Sequence, residues 1–270
     1  MVPSIRHRQC PSLRADRGTT HPRSTYDLAM TDSWRALQAA HACDVPRVPW
    51  HVGGLAVGSV ARAHLDALRQ WPQWLAVEEQ HVTLLATPDA RDTALALINR
   101  RLHAMGLIVA WRDETYAVVA APGAAPLALI ERAASRFWGT LTFGAHCNGY
   151  VADATDRPAQ LWIARRAAHK PTDPGKLDNL VGGGVPHGQT PFEALLREGH
   201  EEAGLPEAIM RRAQAASVIG LRCDIAEGFM REDLHTFDLA LAPDLEPQNQ
   251  DGEVQALYRM PVAEAIECAA

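Results

Sequence analysis

The chain has 270 residues, of which 47% are hydrophobic and 21% are charged, and its formal net charge is −6. This composition is ordinary for a globular protein of one large domain or two smaller ones, and it shows neither the basic excess of a nucleic-acid-binding protein nor the apolar run of a membrane helix. The five widely spaced cysteines form no CxxC pair, so we expect no disulfide framework or zinc site and a reducing, cytoplasmic location.

The chain begins with a polar segment. Residues 1–29 are rich in Arg, Ser, Pro and Thr and lack the apolar core of a secretory signal, so we predict a disordered tail, with a transit peptide as the alternative. We predict a small α+β domain over residues 30–125. Its elements include a helix over 59–70, which must end before Pro72.

The rest of this first domain combines a strand, a helix and a hairpin. Residues 81–86 read as a strand, and apolar residues at helical spacing after Pro88 predict a helix that ends at Gly106. Two apolar segments, 107–111 and 115–120, flank the polar turn Arg112-Asp113-Glu114 and predict a hairpin.

A turn-rich stretch then indicates a domain boundary. Residues 121–126 contain two prolines and a glycine, and we place the start of a second domain at residue 126, extending to residue 270. A helix is predicted over 127–137. Strands are predicted at five further places, namely 145–152, 160–165, 216–223, 235–241 and 254–258.

The helix that begins at Pro191 has the clearest end signals in the chain. Thr190 is a good N-cap, Glu193 completes a Thr-x-x-Glu capping box, and Gly204 takes the usual place of a C-terminal glycine. Proline is favoured at the first helical position because its N–H group would have no partner there. These signals predict a helix of about 13 residues.

The two faces of this helix differ in chemistry. The helical period places four residues on one packing stripe, namely Phe192, Leu196, Gly199 and Ala203. Three glutamates occupy another sector, namely Glu198, Glu201 and Glu202. Carboxylates this close repel one another, and a hard divalent cation such as Mg²⁺ relieves the repulsion. The helix N-terminus and the preceding glycine run favour a phosphate group nearby.

These residues resemble the Nudix box, whose pattern is G-x5-E-x7-R-E-U-x-E-E-x-G-U, with U a bulky apolar residue. The matching positions are Gly183, Arg197, Glu198, Glu201, Glu202, Gly204 and Leu205. Two positions depart from the pattern, because Gln189 replaces a glutamate and Gly199 replaces an apolar residue. The match extends over 23 residues and is therefore far more specific than a lone glycine motif.

The resemblance implies a fold, a metal and a set of roles. The fold is α+β, a Nudix α/β/α sandwich with a mixed sheet, here preceded by the small α+β domain. The implied metal is Mg²⁺ or Mn²⁺, bound by Glu198, Glu201 and Glu202 with the carbonyl of Gly182. Arg197 is implied to orient the carboxylates, and Gly183 to let the backbone approach the substrate closely.

Segments outside the box resemble one Nudix subgroup. They are 111–114, 146–150, 165–170, 174–183 and 251–254. Members of the subgroup pair an N-terminal domain of uncharacterised role with a Nudix domain, and some fungal members are fused to thiamine pyrophosphokinase. They resemble phosphatases of thiamine-type diphosphates that prefer damaged forms such as oxythiamine diphosphate. The implied partner is thus a small-molecule diphosphate, with no nucleic acid or membrane. The oligomeric state stays open between monomer and homodimer.

Further candidates lie outside the helix. Arg165, Arg166 and Lys170 are predicted to contact substrate phosphate, since guanidinium and ammonium groups suit its oxygens. The general base is predicted to be Glu253, in an Asp-Gly-Glu turn, or Glu202.

Three other functions remain open. A nucleoside-diphosphate-linked hydrolase would use the same box, and an isopentenyl diphosphate isomerase would need a cysteine such as Cys147 or Cys223 at the site. A non-catalytic Nudix binding module is disfavoured, because such modules usually lose the helix glutamates that this chain keeps.

Overall fold

The computed structural model describes residues 39–170 and 173–269, so the predicted tail over 1–29 lies outside the described residues. The described chain is of mixed α+β class, with a four-stranded sheet, a seven-stranded sheet and a two-stranded hairpin. The predicted fold class is thereby confirmed. Within these residues, no helix combines the length and apolar character needed to cross a membrane.

The N-terminal part is built on the four-stranded sheet, whose strand order is β2-β1-β4-β3. Its strands are β1 (Arg47–Val52), β2 (Leu55–Ala61), β3 (Leu75–Val77) and β4 (Val82–Leu84). Its helical elements are a 3-10 turn (Arg62–His64), α1 (Leu65–Leu68) and α2 (Arg91–Ala104). The helix predicted over 59–70 is partly wrong, because its first residues complete β2, where Val60 and Ala61 enter the core.

Tryptophans anchor the core of this part. The rings of Trp50 and Trp138 lie 4.4 Å apart between centroids, and both side chains are fully buried. The indole nitrogen of Trp138 donates to Asn99 Oδ1 at 2.8 Å. This bond satisfies a polar group that would otherwise be costly to bury.

The predicted hairpin between 107–111 and 115–120 is wrong. Strand β5 (Thr115–Val118) pairs instead with β6 (Ala128–Glu131), and helix α3 (Ala134–Trp138) follows. The turn-rich residues 121–126 therefore connect two paired strands, and the predicted helix over 127–137 forms only in its last part. Because β6 and α3 pack in the core of the first sheet, the two cores divide near residue 140, later than the predicted boundary at 125.

The C-terminal part is built on the seven-stranded sheet, where β12 and β7 run parallel and the other strand pairs among the described residues are antiparallel. Its strands are β7 (Leu141–Ala152), β8 (Pro158–Arg166), β9 (Leu177–Asp178), β10 (Val181–Gly184), β11 (Gln214–Ile225), β12 (Gly228–Ala240) and β13 (Val254–Pro261). Its helices are α4 (Pro191–Ala203), α5 (Glu207–Met210) and α6 (Val262–Ala269). Helix α4 packs on β10 and β7, which brings the predicted box helix against the glycine strand.

Polar contacts join the two parts. Arg136 of α3 pairs with Glu232 of β12 at 2.9 Å. The guanidinium of Arg231 donates to the carbonyl of Val57 at 3.3 Å. The N-terminal part thus contacts the same sheet on which the box helix packs.

Candidate active site

Helix α4 has the bounds and caps that its sequence predicts. The Thr190 hydroxyl accepts from the backbone N–H of Glu193 at 3.2 Å, and the Glu193 carboxylate accepts from the backbone N–H of Thr190 at 2.7 Å. The helix ends at Gly204, whose φ of 62° is in the left-handed region that favours glycine. Both ends of the helix are therefore fixed by local chemistry.

The faces of α4 are divided differently from the prediction. Its buried residues are Ala194, Leu195, Glu198, Gly199, Glu202 and Ala203. Phe192 and Leu196 of the predicted packing stripe are only partly buried. The reason is that two glutamates share the inward face, a placement that a pattern of apolar residues does not reveal.

Glu198 lies directly on the glycine strand. A Cβ atom added to Gly183 would lie 2.2 Å from Glu198 Oε1, so only glycine leaves room for this carboxylate. Arg197 contacts Glu198 at 2.8 Å and Glu201 at 3.0 Å. Burial raises the pKa of Glu198, although Arg197 opposes the rise. Arg197 therefore contacts the carboxylates, as its predicted role requires.

Glu202 is also buried, one helical turn further along. Its carboxylate accepts from the backbone N–H of Gly182 at 2.8 Å. Burial raises its pKa to about 8, with further contributions from the charges of Glu198 and Asp178. The Gly182 bond and Lys170 oppose the rise. This carboxyl group is therefore held in an environment that disfavours its negative charge.

The carboxylate oxygens on this face of the helix are ligands that a hard divalent cation prefers. Glu198 and Glu202 are both buried carboxylates, and the charge of Glu198 disfavours that of Glu202, a conflict that a bound cation would relieve. Glu201 is turned toward Arg197 and is 42% exposed. Within the described ranges, no group of three or more His, Cys, Asp or Glu residues is arranged to hold a metal ion. The predicted third ligand, Glu201, is thus held by Arg197, which also binds Glu198, and its side chain is more exposed than those of Glu198 and Glu202.

The candidate general base lies beside a buried cation. Glu253 forms an ion pair with Lys170, whose side chain is 7% exposed. The loop before Glu253 is attached to the end of α4, since the backbone N–H of Gln250 donates to the Glu201 carbonyl at 2.9 Å. The charge of Lys170 also acts on Glu202. The structure therefore brings Glu253 and Lys170 to the end of the helix that carries Glu202.

The two predicted arginines of β8 have different surroundings. Arg166 is partly buried and contacts Asp178 at 2.9 Å. Arg165 is exposed, and its guanidinium donates to the carbonyl of Gly175 at 3.1 Å. Since adjacent strand residues point to opposite faces, Arg165 lies away from Arg166. Only Arg166 belongs by position to the group around Asp178.

Residues of the N-terminal part also reach the glycine strand, and sequence reasoning missed them. A Cβ atom on Gly184 would lie 1.8 Å from the Tyr116 hydroxyl and 3.1 Å from Arg132 Cζ. Arg132 pairs with Glu114 at 2.7 Å. The one available signal was the resemblance of residues 111–114 to the subgroup.

Met210 explains one departure from the box. A Cβ atom on Gly199 would lie 2.6 Å from the sulfur and terminal methyl of Met210, which is fully buried. The side chain of Met210 therefore occupies the space that a bulky apolar residue at position 199 would fill. Glycine at position 199 is therefore explained by the packing of Met210 against the helix at this point.

The capped helix, the glycine strand and the buried glutamates identify a Nudix domain. Residues 148–270 match the family model described as NUDIX domain, and residues 30–142 match one described as a domain of unknown function, DUF4743. The chain thus combines a domain of the Nudix family with this N-terminal domain.

The similar proteins include two from Arabidopsis thaliana. The chain is 36% identical over 222 residues to Nudix hydrolase 24, chloroplastic, covering 80% of this chain and 60% of the relative. It is 39% identical over 181 residues to Nudix hydrolase 20, chloroplastic, covering 67% of this chain and 48% of the relative. The chain thus spans about half to three fifths of the length of these relatives.

One solved structure is weakly similar to this chain, and the names of the two relatives bear on its location. A crystal structure of a Deinococcus radiodurans protein aligns with a TM-score of 0.42 and 21% identity, covering 54% of this chain and 83% of that one, a likeness too low to support an argument. The predicted cytoplasmic location is wrong by this comparison, because both Arabidopsis relatives are named as chloroplastic.

Proposed function

We propose that the protein is a hydrolase of phosphoric anhydride bonds that uses Mg²⁺ or Mn²⁺ and acts on a small-molecule diphosphate. The observation that carries this proposal is the pair of buried carboxylates, Glu198 and Glu202, against Gly182 and Gly183. Such a pair is costly to bury unless it binds a cation. The family match supports the same reaction class.

The residues around the Glu198–Glu202 pair have different roles in this proposal. Glu198 and Glu202 would hold the cation with the Gly182 carbonyl, and Glu201 would join them when its ion pair with Arg197 opens. A bound divalent cation neutralises phosphoryl charge and activates an attacking water. Arg197 holds the Glu198 carboxylate in place, and Gly183 keeps the backbone close to the reacting group.

Charged groups at the end of α4 would act on the substrate and water. Lys170 and Arg166 offer N–H donors to phosphoryl oxygens. Glu253 would accept the proton of the attacking water, and its ion pair with Lys170 fixes the position of its carboxylate. Arg165 is exposed and has no part in this proposal.

We infer that the organic half of the substrate is of thiamine type, including damaged forms such as oxythiamine diphosphate. The sequence resemblance outside the box supports this. A polar network beside Gly182 also fits a heteroaromatic ring, because it offers donors and acceptors together. In it, His146 Nδ1 lies 3.0 Å from Asn179 Oδ1, Asn179 donates to Asn148, and Asn148 donates to Asp238 at 2.9 Å.

The alternatives receive less support from the site. An isomerase would need a reactive cysteine, yet Cys147 is fully buried and burial raises its thiol pKa to about 12. The pKa of Cys223 is also raised by burial. Thiols of this kind are inert at neutral pH. Hydrolysis of a nucleoside diphosphate derivative would use the same carboxylates, so a comparison of substrates must distinguish it from hydrolysis of a thiamine-type diphosphate.

The test is phosphate release from a panel of diphosphates with Mg²⁺ or Mn²⁺. The panel contains thiamine, oxythiamine, nucleoside and isoprenoid diphosphates with nucleotide sugars. We expect thiamine-type compounds to have the highest kcat/KM. Selective turnover of nucleotide sugars would contradict the thiamine proposal, and the absence of turnover with any compound would contradict the hydrolase proposal.

A further inference from the structure

Arg112 is a cation of the N-terminal domain that forms no ion pair with any of the described residues. Its side chain is partly buried, and within residues 39–170 and 173–269 its guanidinium has no hydrogen bond or ion pair. Burial and the neighbouring charge of Arg132 lower its pKa. The charge of Glu114 opposes this lowering of the pKa, but Glu114 is itself paired with Arg132, so the described residues compensate the Arg112 charge only in part.

Three further cationic side chains interact with the charge of this guanidinium, and each of them forms an ion pair with an acidic side chain. Arg132 pairs with Glu114 at 2.7 Å, and Arg166 pairs with Asp178 at 2.9 Å. Lys170 forms its ion pair with Glu253. The charges of Arg132 and Arg166 act on Arg112, and Arg112 acts on Lys170. One positive charge of the four thus lacks a close counter-ion among the described residues.

The loop that carries Arg112 is fixed in shape. The Glu131 carboxylate accepts from the backbone N–H groups of Arg112 at 2.8 Å, Glu114 at 3.1 Å and Ala133 at 3.2 Å. The Trp111 indole donates to Asp113 at 2.8 Å. Because one partly buried carboxylate accepts from three backbone N–H groups, the direction in which Arg112 leaves the loop is set before any ligand binds.

This loop adjoins the carboxylate pair. The backbone N–H of His187, just after the glycine strand, donates to the Thr115 carbonyl at 2.8 Å. Arg132 lies against Gly184, the neighbour of Gly183 on which Glu198 packs. The charge of Arg132 acts on Glu198 and that of Lys170 acts on Glu202. The cation cluster therefore stands beside the proposed site of phosphate chemistry.

We propose that Arg112 binds a phosphoryl oxygen of the diphosphate substrate, so that the N-terminal domain supplies part of the active site. The planar guanidinium offers paired N–H donors that match two phosphate oxygens. The substrate would supply the missing negative charge of the cluster. This inference rests on the proposed function and gives the N-terminal domain a role in it.

The test compares Arg112→Ala and Arg112→Lys with the wild-type chain. Arg101→Ala is the matched control, since Arg101 is an exposed arginine of the same domain on α2. Two quantities are measured for each protein in Mg²⁺, namely the Kd for inorganic pyrophosphate by calorimetry and the KM for the best diphosphate substrate. The thermal midpoint without ligand checks folding.

We expect Arg112→Ala to raise both constants roughly tenfold to hundredfold, the change for lost charge-assisted hydrogen bonds. Arg112→Lys should fall between this variant and the wild type, because it keeps the charge but loses the paired donors. The ligand-free Tm of Arg112→Ala should stay unchanged or rise, since one repelling cation is removed. Arg101→Ala should match the wild type throughout.

The outcomes separate this inference from the proposed function. If Arg112→Ala binds pyrophosphate and substrate as tightly as Arg101→Ala, the inference is overturned, whereas wild-type hydrolysis would still uphold the function. If the wild type hydrolyses no diphosphate but binds pyrophosphate through Arg112, the function is overturned and the anion site stands. If Arg112→Ala unfolds, Arg112→Lys decides, because equal binding by that variant and the wild type overturns the paired-donor contact.

Discussion

The buried carboxyl of Glu202 predicts that the metal-free protein loses stability as the pH rises. In the folded chain the pKa of this group is raised from 4.5 to about 8, mainly by burial. Below pH 4.5 the carboxyl is protonated in both the folded and the unfolded chain. As the pH rises toward 8, the unfolded chain releases the proton while the folded chain retains it, so folding becomes progressively less favourable.

The size of the effect follows from the displacement of the pKa. At 1.36 kcal/mol per pH unit, it corresponds to about 5 kcal/mol between pH 4.5 and 8. Even half of that would change Tm by roughly 5–10 °C in a protein of this size. Glu202→Gln has nearly the same shape, is neutral and keeps an acceptor for the Gly182 N–H group. It should therefore lack this part of the pH dependence.

The assay is thermal unfolding in a chelator between pH 5.5 and 8.5. The relevant quantity is the difference in Tm between Glu202→Gln and the wild type, because the titration of other groups largely cancels in it. We expect the Tm of Glu202→Gln to increase relative to that of the wild type as the pH rises. Adding Mg²⁺ at pH 8 should raise the Tm of the wild type more than that of the variant.

The matched control is Glu207→Gln on α5, where the carboxylate is 62% exposed and pairs with Arg211. This variant should keep a nearly constant Tm difference from the wild type. A constant difference for Glu202→Gln over the whole pH range would refute the argument that burial of its charge limits stability.

Three further experiments test the packing and the capping of helix α4. Gly183→Ala places a Cβ atom 2.2 Å from Glu198 Oε1, so we expect roughly a hundredfold lower kcat/KM, and unchanged kinetics would contradict the close approach. Gly199→Leu should destabilise the chain less when Met210→Ala is added, because the two side chains compete for one space; strictly additive unfolding free energies would argue otherwise. Thr190→Ala should lower the unfolding free energy by about 1 kcal/mol in urea titrations, and no change would mean that the capping box contributes nothing.

The sequence predicts the bounds and caps of helix α4 because their determinants are local. Thr190, Glu193 and Gly204 lie within the helix ends and act on backbone groups a few residues away. The Nudix resemblance depends on the same short stretch. By contrast, the inward placement of Glu198 and Glu202 depends on the packing of α4 against β10, which apolar periodicity cannot show when carboxylates occupy the buried face.

The errors in the N-terminal part share one cause. Strand β5 pairs with β6 across the turn-rich residues 121–126, whereas local pattern reading paired it with the nearer apolar segment before it. The contact of Arg132 with Gly184 joins residues 52 positions apart, so no local pattern reveals it. The cluster of cations around Arg112 also joins residues far apart in the chain, so no local pattern predicts it, and only the resemblance of residues 111–114 to the subgroup indicates this loop.

The central claim is that the two buried glutamates of α4 support metal-dependent cleavage of a diphosphate bond. The most direct measurement is phosphate release from oxythiamine diphosphate with and without Mg²⁺, by the wild type, Glu198→Gln, Glu202→Gln and the control Glu207→Gln. We predict release that requires the metal, is retained by Glu207→Gln and falls at least about a hundredfold in each of the other two variants. Equal release by Glu202→Gln and the wild type, or release unaffected by removal of the metal, would contradict the claim.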